Sequence, residues 1–251
     1  MEAFDAGALR STSVMVGTPG FEDAAAHARR VAPHLGVGLH LTLTLGRPLT
    51  AARSLTDAGG GFLSPRQLVA RALAGAVDSV EVQNEVSAQL ARARAAGLRI
   101  THLDGHHHAH AFPGIRRAVW RAARRAGIPV VRRPIESFVH APFRFRRLPA
   151  RVALRLLARG APLDEAPVAV AGFAGHSLLG APNFQAGLLR FLEQLPVGVT
   201  ELMVHPGYVS GPLPGDDPYR DQRAVELRAL TSPMTLRALR AGVRVLHFGE
   251  L

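Results

Sequence analysis

At 251 residues with 47% hydrophobic content, the chain is long enough to bury one large core, and one α/β domain over 1–251 is the default expectation. It has no cysteine, which excludes disulfides, a thiol nucleophile and thiolate metal sites and leaves His, Asp and Glu as the good metal ligands. The net charge of +11 is carried by thirty arginines and no lysine, spread over several helical patterns, and only 6% of residues are aromatic. That reads as compositional bias on solvated helix faces and argues against a nucleic-acid partner, with the arginine-dense stretch 144–159 left as a surface for an acidic partner. No run is apolar enough to span a bilayer, and the N-terminus lacks the layout of a secretory signal, so no membrane partner and a cytoplasmic location are expected.

Strand-like and helix-like runs alternate along the chain. A strand pattern over 11–16 is followed by a helical one over 22–32; a glycine-bounded strand over 36–43, interrupted by His40, precedes helices over 65–74 and 80–96. A strand over 98–104 leads through the chain break at Pro113-Gly114 to a helix over 114–126, then a strand over 129–132 and a helix over 149–158. A weaker strand over 168–172, a helix over 184–194, a strand over 201–205, one long helix over 222–241 and a last strand over 243–248 complete the series. Ala96-Gly97, Ala126-Gly127 and Ala241-Gly242 are helix-stop signals. Repeated strand–helix units predict a parallel sheet with helices outside, and no Gly-x-Gly-x-x-Gly supports a dinucleotide site. The expected fold is α/β, an irregular (β/α) barrel of fewer than eight units. It is preferred to an open doubly wound sheet because distant strands converge more easily in a barrel.

Chemistry concentrates in the stretch Thr101-His102-Leu103-Asp104-Gly105-His106-His107-His108-Ala109-His110, which holds five of the twelve histidines. On an extended backbone Asp104, His106, His108 and His110 share a face. Imidazole commonly binds divalent metals, and a carboxylate beside it holds the ring tautomer or completes the coordination. A lone histidine is more often a satisfied polar residue. Here His40 and His205 sit in similar settings, each near the end of its own apolar run, and packing alone does not explain three such cases. The pattern predicts a metal site at the C-terminal ends of strands.

These segments, in this order and spacing, resemble the YdjC-like carbohydrate deacetylases, the family of the chitooligosaccharide deacetylases. The likeness runs nearly the full length. It includes Ser11-Thr12-Ser13-Val14-Met15-Val16, Gly38-Leu39-His40-Leu41-Thr42-Leu43 and Gly46-Arg47-Pro48-Leu49. It continues through the His-rich stretch with Pro113, Arg132-Arg133-Pro134, Leu202-Met203-Val204-His205-Pro206-Gly207 and 219–230. The resemblance implies a deformed (β/α) barrel that binds one divalent metal through an aspartate and two histidines, here His40 and His106. Asp104, His108 and His110 would then stand behind the ligands or line the pocket, His205 would act as an acid, and Arg132 would contact substrate. The implied reaction removes an N-acetyl group from an amino-sugar unit of an oligosaccharide. The resemblance points to magnesium, whereas an imidazole-rich ligand set suits zinc or another transition metal.

Members of the family open with a strand ending in Asp-Asp-Phe-Gly, which supplies the aspartate ligand and a candidate base. This chain opens Met1-Glu2-Ala3-Phe4-Asp5-Ala6-Gly7, which matches the end of the family's first helix. The expectation is that a first strand of the barrel, with its loop and helix start, is missing from this chain: roughly twenty residues at usual element lengths, lying upstream of a misplaced start. The form written here would then bind metal weakly and turn over poorly, and its unpaired sheet edge leaves self-association into a homodimer open. The alternative is a truncated, catalytically inactive member that serves as a sugar-binding or scaffold protein; a basic nucleic-acid-binding protein is the weakest reading.

Overall fold

Parallel pairing of strands needs a crossover connection, and the helices between these short β-rich runs supply it. The computed structural model describes residues 1–31, 34–137, 148–158, 170, 172–209, 211 and 219–251. After a short helix α1 (Glu2–Asp5), strands β1 (Ser11–Val14), β2 (Gly36–Leu41), β3 (Ile100–Gly105) and β4 (Val130–Val131) form a parallel sheet in the order β1-β2-β3-β4. The crossovers carry α2 (Phe21–Val31), then α3 (Pro65–Leu73) with α4 (Ser79–Ala95), then α5 (Arg116–Arg125). The rest of the chain adds α6 (Leu148–Ala158), β5 (Gly172–Ala174), α7 (Phe184–Glu193), β6 (Thr200–Leu202), α8 (Gln222–Leu230) and α9 (Pro233–Arg240), with β5 and β6 paired in parallel. The α/β class and its parallel strands are as expected.

The chain packs into two compact units. One is built mainly from Ser11–Arg132 and closes with His247–Leu251; the other combines Met1–Arg10 with the described parts of Arg133–Leu156 and Val170–Leu246. In the first, strand alternation splits the sheet residues into two sets. Leu39, Leu41 and Leu103 are fully buried in a core with Phe21 of α2, Leu68 of α3, Val86 and Leu90 of α4 and Val119 of α5. The intervening positions Gly38, His40, His102 and Asp104 are thereby turned away from the helices. In the second unit, Phe184 and Leu188 of α7 pack with Leu178 and with Ala229 and Leu230 of α8.

The structure departs from the sequence reading in several places. The helix expected over 222–241 is two helices, because Pro233 has no N–H to continue α8 and Ser232 caps a new start by accepting from the Thr235 N–H. The strand expected over 243–248 does not form. Its hydrogen bonds go to side chains instead: the Phe248 N–H donates to Ser11 Oγ, and His247 caps a 3-10 turn, Phe248–Glu250. β6 ends at Leu202, which puts His205 beyond the strand in a loop. Of the expected strand over 168–172, residues 168, 169 and 171 lie outside the described residues, as do 144–147 and 159 of the arginine-dense stretch. No helix among the described residues is long and apolar enough to cross a membrane.

The buried face of α4 is not wholly apolar, since Glu85 and Gln89 lie between Val82, Val86 and Leu90. Both hold the loop that follows β2. Gln89 accepts from the Thr42 N–H and donates to the Thr42 carbonyl, while the Glu85 carboxylate accepts from the N–H groups of Leu49 and Thr50 and from Thr50 Oγ1. Removing that carboxylate would leave several part-buried donors without their acceptor. Glu85→Ala is expected to lower the unfolding free energy by about 2–4 kcal/mol, read by urea denaturation; a change below about 0.5 kcal/mol would show that the loop stands without it.

Candidate functional site

Register builds the site. β2 and β3 run in parallel with His40 directly opposite Asp104 and Gly38 opposite His102, so an imidazole and a carboxylate meet on one face of the sheet. His40 Nδ1 lies 2.9 Å from Asp104 Oδ1. An ionised carboxylate only accepts, so Nδ1 carries the proton on this contact and Nε2 is the ring nitrogen not engaged by Asp104. Arg132, one residue past β4, reaches back with its guanidinium NH1 to Asp104 Oδ2 at 2.8 Å. Ser13 of β1 donates to the same Oδ2 at 3.1 Å and lies 3.4 Å from His40 Nδ1. Asp104 is almost fully buried. Burial alone would push its carboxyl up, but Arg132, His40 and the hydrogen bond from His40 outweigh that and hold it well below the usual carboxylate range.

Strand geometry ends at Gly105. His106–Ala111 forms a 3-10 turn in which His107 and His108 adopt left-handed conformations, with φ of 52° and 55°. The alternation that would have aligned His106, His108 and His110 is therefore broken. His106 stays beside His40, with ring centroids 5.7 Å apart and planes at 67°. His107 is exposed, its ring 3.8 Å from that of His106, and its Nδ1 pairs with Thr44 Oγ1 at 3.0 Å. His110 turns inward, and its Nε2 donates to the Arg132 carbonyl at 3.0 Å. A Cβ on Gly105 would sit 2.7 Å from His110 Nδ1, so this inward turn depends on that glycine. His108 is half-buried, its ring 6.1 Å from that of His110. Two successive left-handed residues with side chains cost roughly 1–2 kcal/mol each and persist only where their surroundings fix them.

His102 lies in the same sheet face but serves the interior. Thr101 Oγ1 donates to the Val37 carbonyl, so it must accept from His102 Nδ1, and the ring stacks on Phe248 with centroids 4.1 Å apart. Gly38 leaves the room: a Cβ there would collide with the His102 ring.

Of the residues singled out in the sequence, His40, Asp104, His106 and Arg132 gather at one end of the four-stranded sheet, and His110 braces Arg132 from behind. His205 belongs to the other unit, half-buried in the loop after β6 with its ring Nδ1 buried. Ser13 was missed as a site residue. Its only sequence signal is a polar residue in β1, and its partner becomes visible only once the register is known.

A family model described as YdjC-like protein matches residues 1–241. A carbohydrate deacetylase of Geobacillus stearothermophilus is 32% identical over 255 residues, covering 100% of this chain and 89% of the relative. A carbohydrate deacetylase of Homo sapiens is 36% identical over 278 residues, covering 100% and 85%. A chitooligosaccharide deacetylase of Yersinia pestis (strain Pestoides F) is 34% identical over 237 residues, covering 93% and 84%. Among solved structures, a protein of Enterococcus faecalis V583 whose name proposes cellobiose-phosphate cleavage superposes with a TM-score of 0.75 at 23% identity, covering 99% of this chain and 90% of that one. At that identity the likeness is one of fold.

Two stability measurements test this geometry. Burial lowers His102 and His110 to about 4, below their usual 6.5, so the folded chain refuses protons that the unfolded chain takes up. Unfolding free energy should therefore fall as pH drops from about 6.5 to about 4, by on the order of 3 kcal/mol per histidine. A flat profile across that window would contradict the buried neutral rings. Asp104→Asn, which removes the charge facing Arg132, should destabilise by about 3–5 kcal/mol at pH 7, and a loss under about 1 kcal/mol would mean the pair is not desolvated.

Proposed function

Because the chain belongs to the YdjC-like family, we propose that it is a carbohydrate deacetylase, a hydrolase that removes N-acetyl groups from amino-sugar units of an oligosaccharide. The observation that carries this reading is similarity over the whole chain, at 32% identity, to a relative named carbohydrate deacetylase, joined to a His40–Asp104–Arg132 cluster beside His106. An acetamide is a poor electrophile and water a poor nucleophile, so the reaction needs charge stabilisation and managed protons.

His40 and His106 fit as two arms of one divalent-ion site. Asp104 occupies His40 Nδ1 and so commits Nε2 as the donor atom, an arrangement common among metal-binding histidines. A ring bound at about 2.0–2.1 Å has its centroid roughly 3 Å from the ion, so two such rings lie about 5–6 Å apart, which their 5.7 Å separation matches. Among the described residues no group of three His, Cys, Asp or Glu side chains gathers at one point, so these two rings are the donors on offer. Imidazole donors favour zinc or another transition metal over magnesium. When bound, such an ion would polarise the acetyl carbonyl and acidify a water.

The other residues have separate tasks in this reading. Asp104 fixes the His40 tautomer, and Arg132 and Ser13 hold Asp104 ionised and oriented. Arg132 also offers a guanidinium to the sugar, and His205 donates a proton to the leaving amine.

The test is acetate release from N-acetylated chitooligosaccharides, measured after chelation and after addition of zinc, cobalt or magnesium. Activity should depend on the added ion, and His40→Ala and His106→Ala should each lower it by about a hundredfold or more. Saturable binding of the same oligosaccharides with no acetate release under any of these conditions would make the chain a sugar-binding protein instead.

A further inference from the structure

Beyond β6 the chain runs Met203-Val204-His205-Pro206-Gly207, and α8 holds this segment from the side. The His205 backbone N–H donates to Glu226 Oε2 at 2.5 Å, and the Gly207 N–H donates to the Arg223 carbonyl at 3.1 Å. Pro206, between them, has no N–H and a fixed φ. The backbone donors on both sides of the proline therefore end on one helix, and the direction in which His205 projects its side chain is set by that helix. α8 is itself anchored, since Ala229 and Leu230 lie in the core with Phe184 and Leu188, and Leu202 and Val204 pack against the same cluster.

The choice of a carboxylate for this duty is informative. Glu226 is 1% exposed, and burying a carboxyl group in such a place is costly unless it is partnered. Burial raises its carboxyl to about 7, against the lowering effects of the His205 N–H, the Arg223 charge and the Gln222 side chain. An apolar residue at this helix position would extend the core at less cost. What it could not do is accept from the one N–H that fixes His205.

We propose that Glu226 is the positioning residue for His205, clasping its backbone so that the imidazole is presented in a single orientation for proton donation. This rests on the reading of His205 as the acid that serves the leaving amine.

The test compares Glu226→Leu, which keeps the volume and removes the acceptor, with Glu226→Gln, which keeps an acceptor oxygen, and adds His205→Ala and the double variant His205→Ala/Glu226→Leu. With N-acetylated chitooligosaccharides, Glu226→Leu should lower kcat by about ten- to a hundredfold, part of the about 10²–10⁴ that a positioned acid supplies, and leave KM within about twofold. Glu226→Gln should restore most of that loss, and the double variant should be no slower than His205→Ala alone. Amide hydrogen exchange at His205 should quicken in Glu226→Leu but not in Glu226→Gln, while the amides of Leu188 and Leu230 keep their protection.

Glu226→Leu turning over as fast as the parent, or losses that multiply in the double variant, would overturn the proposal while leaving the acid role of His205 standing. His205→Ala turning over at the parent rate would remove the acid role itself. Faster exchange at His205 in Glu226→Leu would then mark Glu226 as a clasp for the fold alone, and the proposal would fall with the acid role.

Discussion

The site rests on one buried charge. Asp104 is ionised in the interior of a parallel sheet, and an isolated carboxylate there would be prohibitively expensive. It is held because three strands deliver partners to it: β1 brings Ser13, β2 brings His40, and the end of β4 brings Arg132. The register that makes these contacts is the one that puts Leu39, Leu41 and Leu103 into the helix-facing core. A slip of one residue would expose the leucines and bury the histidine and aspartate among helices. The hydrophobic core and the polar cluster therefore specify the same alignment, and each protects the other.

A second layer of constraint keeps the surrounding loops in place. The turn after β3 contains two histidines in left-handed backbone, a conformation that their own side chains disfavour. It is secured at one end by Thr44 on His107 and at the other by His110 on the Arg132 carbonyl. Thr44 lies on the loop that Glu85 and Gln89 tie to α4. Buried polar groups on a helix thus fix a loop, the loop steadies a strained turn, and the turn keeps His106 against His40.

Much of this was legible in the sequence, and the unread parts share a cause. Several helix ends came out within one or two residues: 80–96 is expected where Ser79–Ala95 forms, and 65–74 where Pro65–Leu73 forms. The proximity of His40 to Asp104 and His106 has a local signal, since His40 lies near the end of one strand-like run and Asp104 and His106 at the end of another; the sequence grouped His205 with them, and it lies in the other unit. The break at Ser232-Pro233 carries a local signal, a capping residue before a proline, which the reading of one helix over 222–241 passes over. The turn at His107-His108 carries no glycine to announce it. The Arg132 and Ser13 contacts to Asp104, and the Glu226 contact to His205, join residues far apart along the chain; pairing and register create them, and no local spacing encodes them. Glu85 and Gln89 sit at apolar positions of a helical stripe, and a single sequence does not show which loop they hold.

The proposed ion site requires that Asp104 commit His40 to present Nε2 toward the same point as His106. The most direct measurement is anomalous diffraction at the zinc edge from crystals of the protein grown with zinc. A single strong peak within about 2.0–2.2 Å of His40 Nε2 and of a ring nitrogen of His106, with Asp104 still on His40 Nδ1, is the predicted result. A peak that engages Asp104 directly with His40 turned away, or zinc bound elsewhere with this pair left empty, would contradict it.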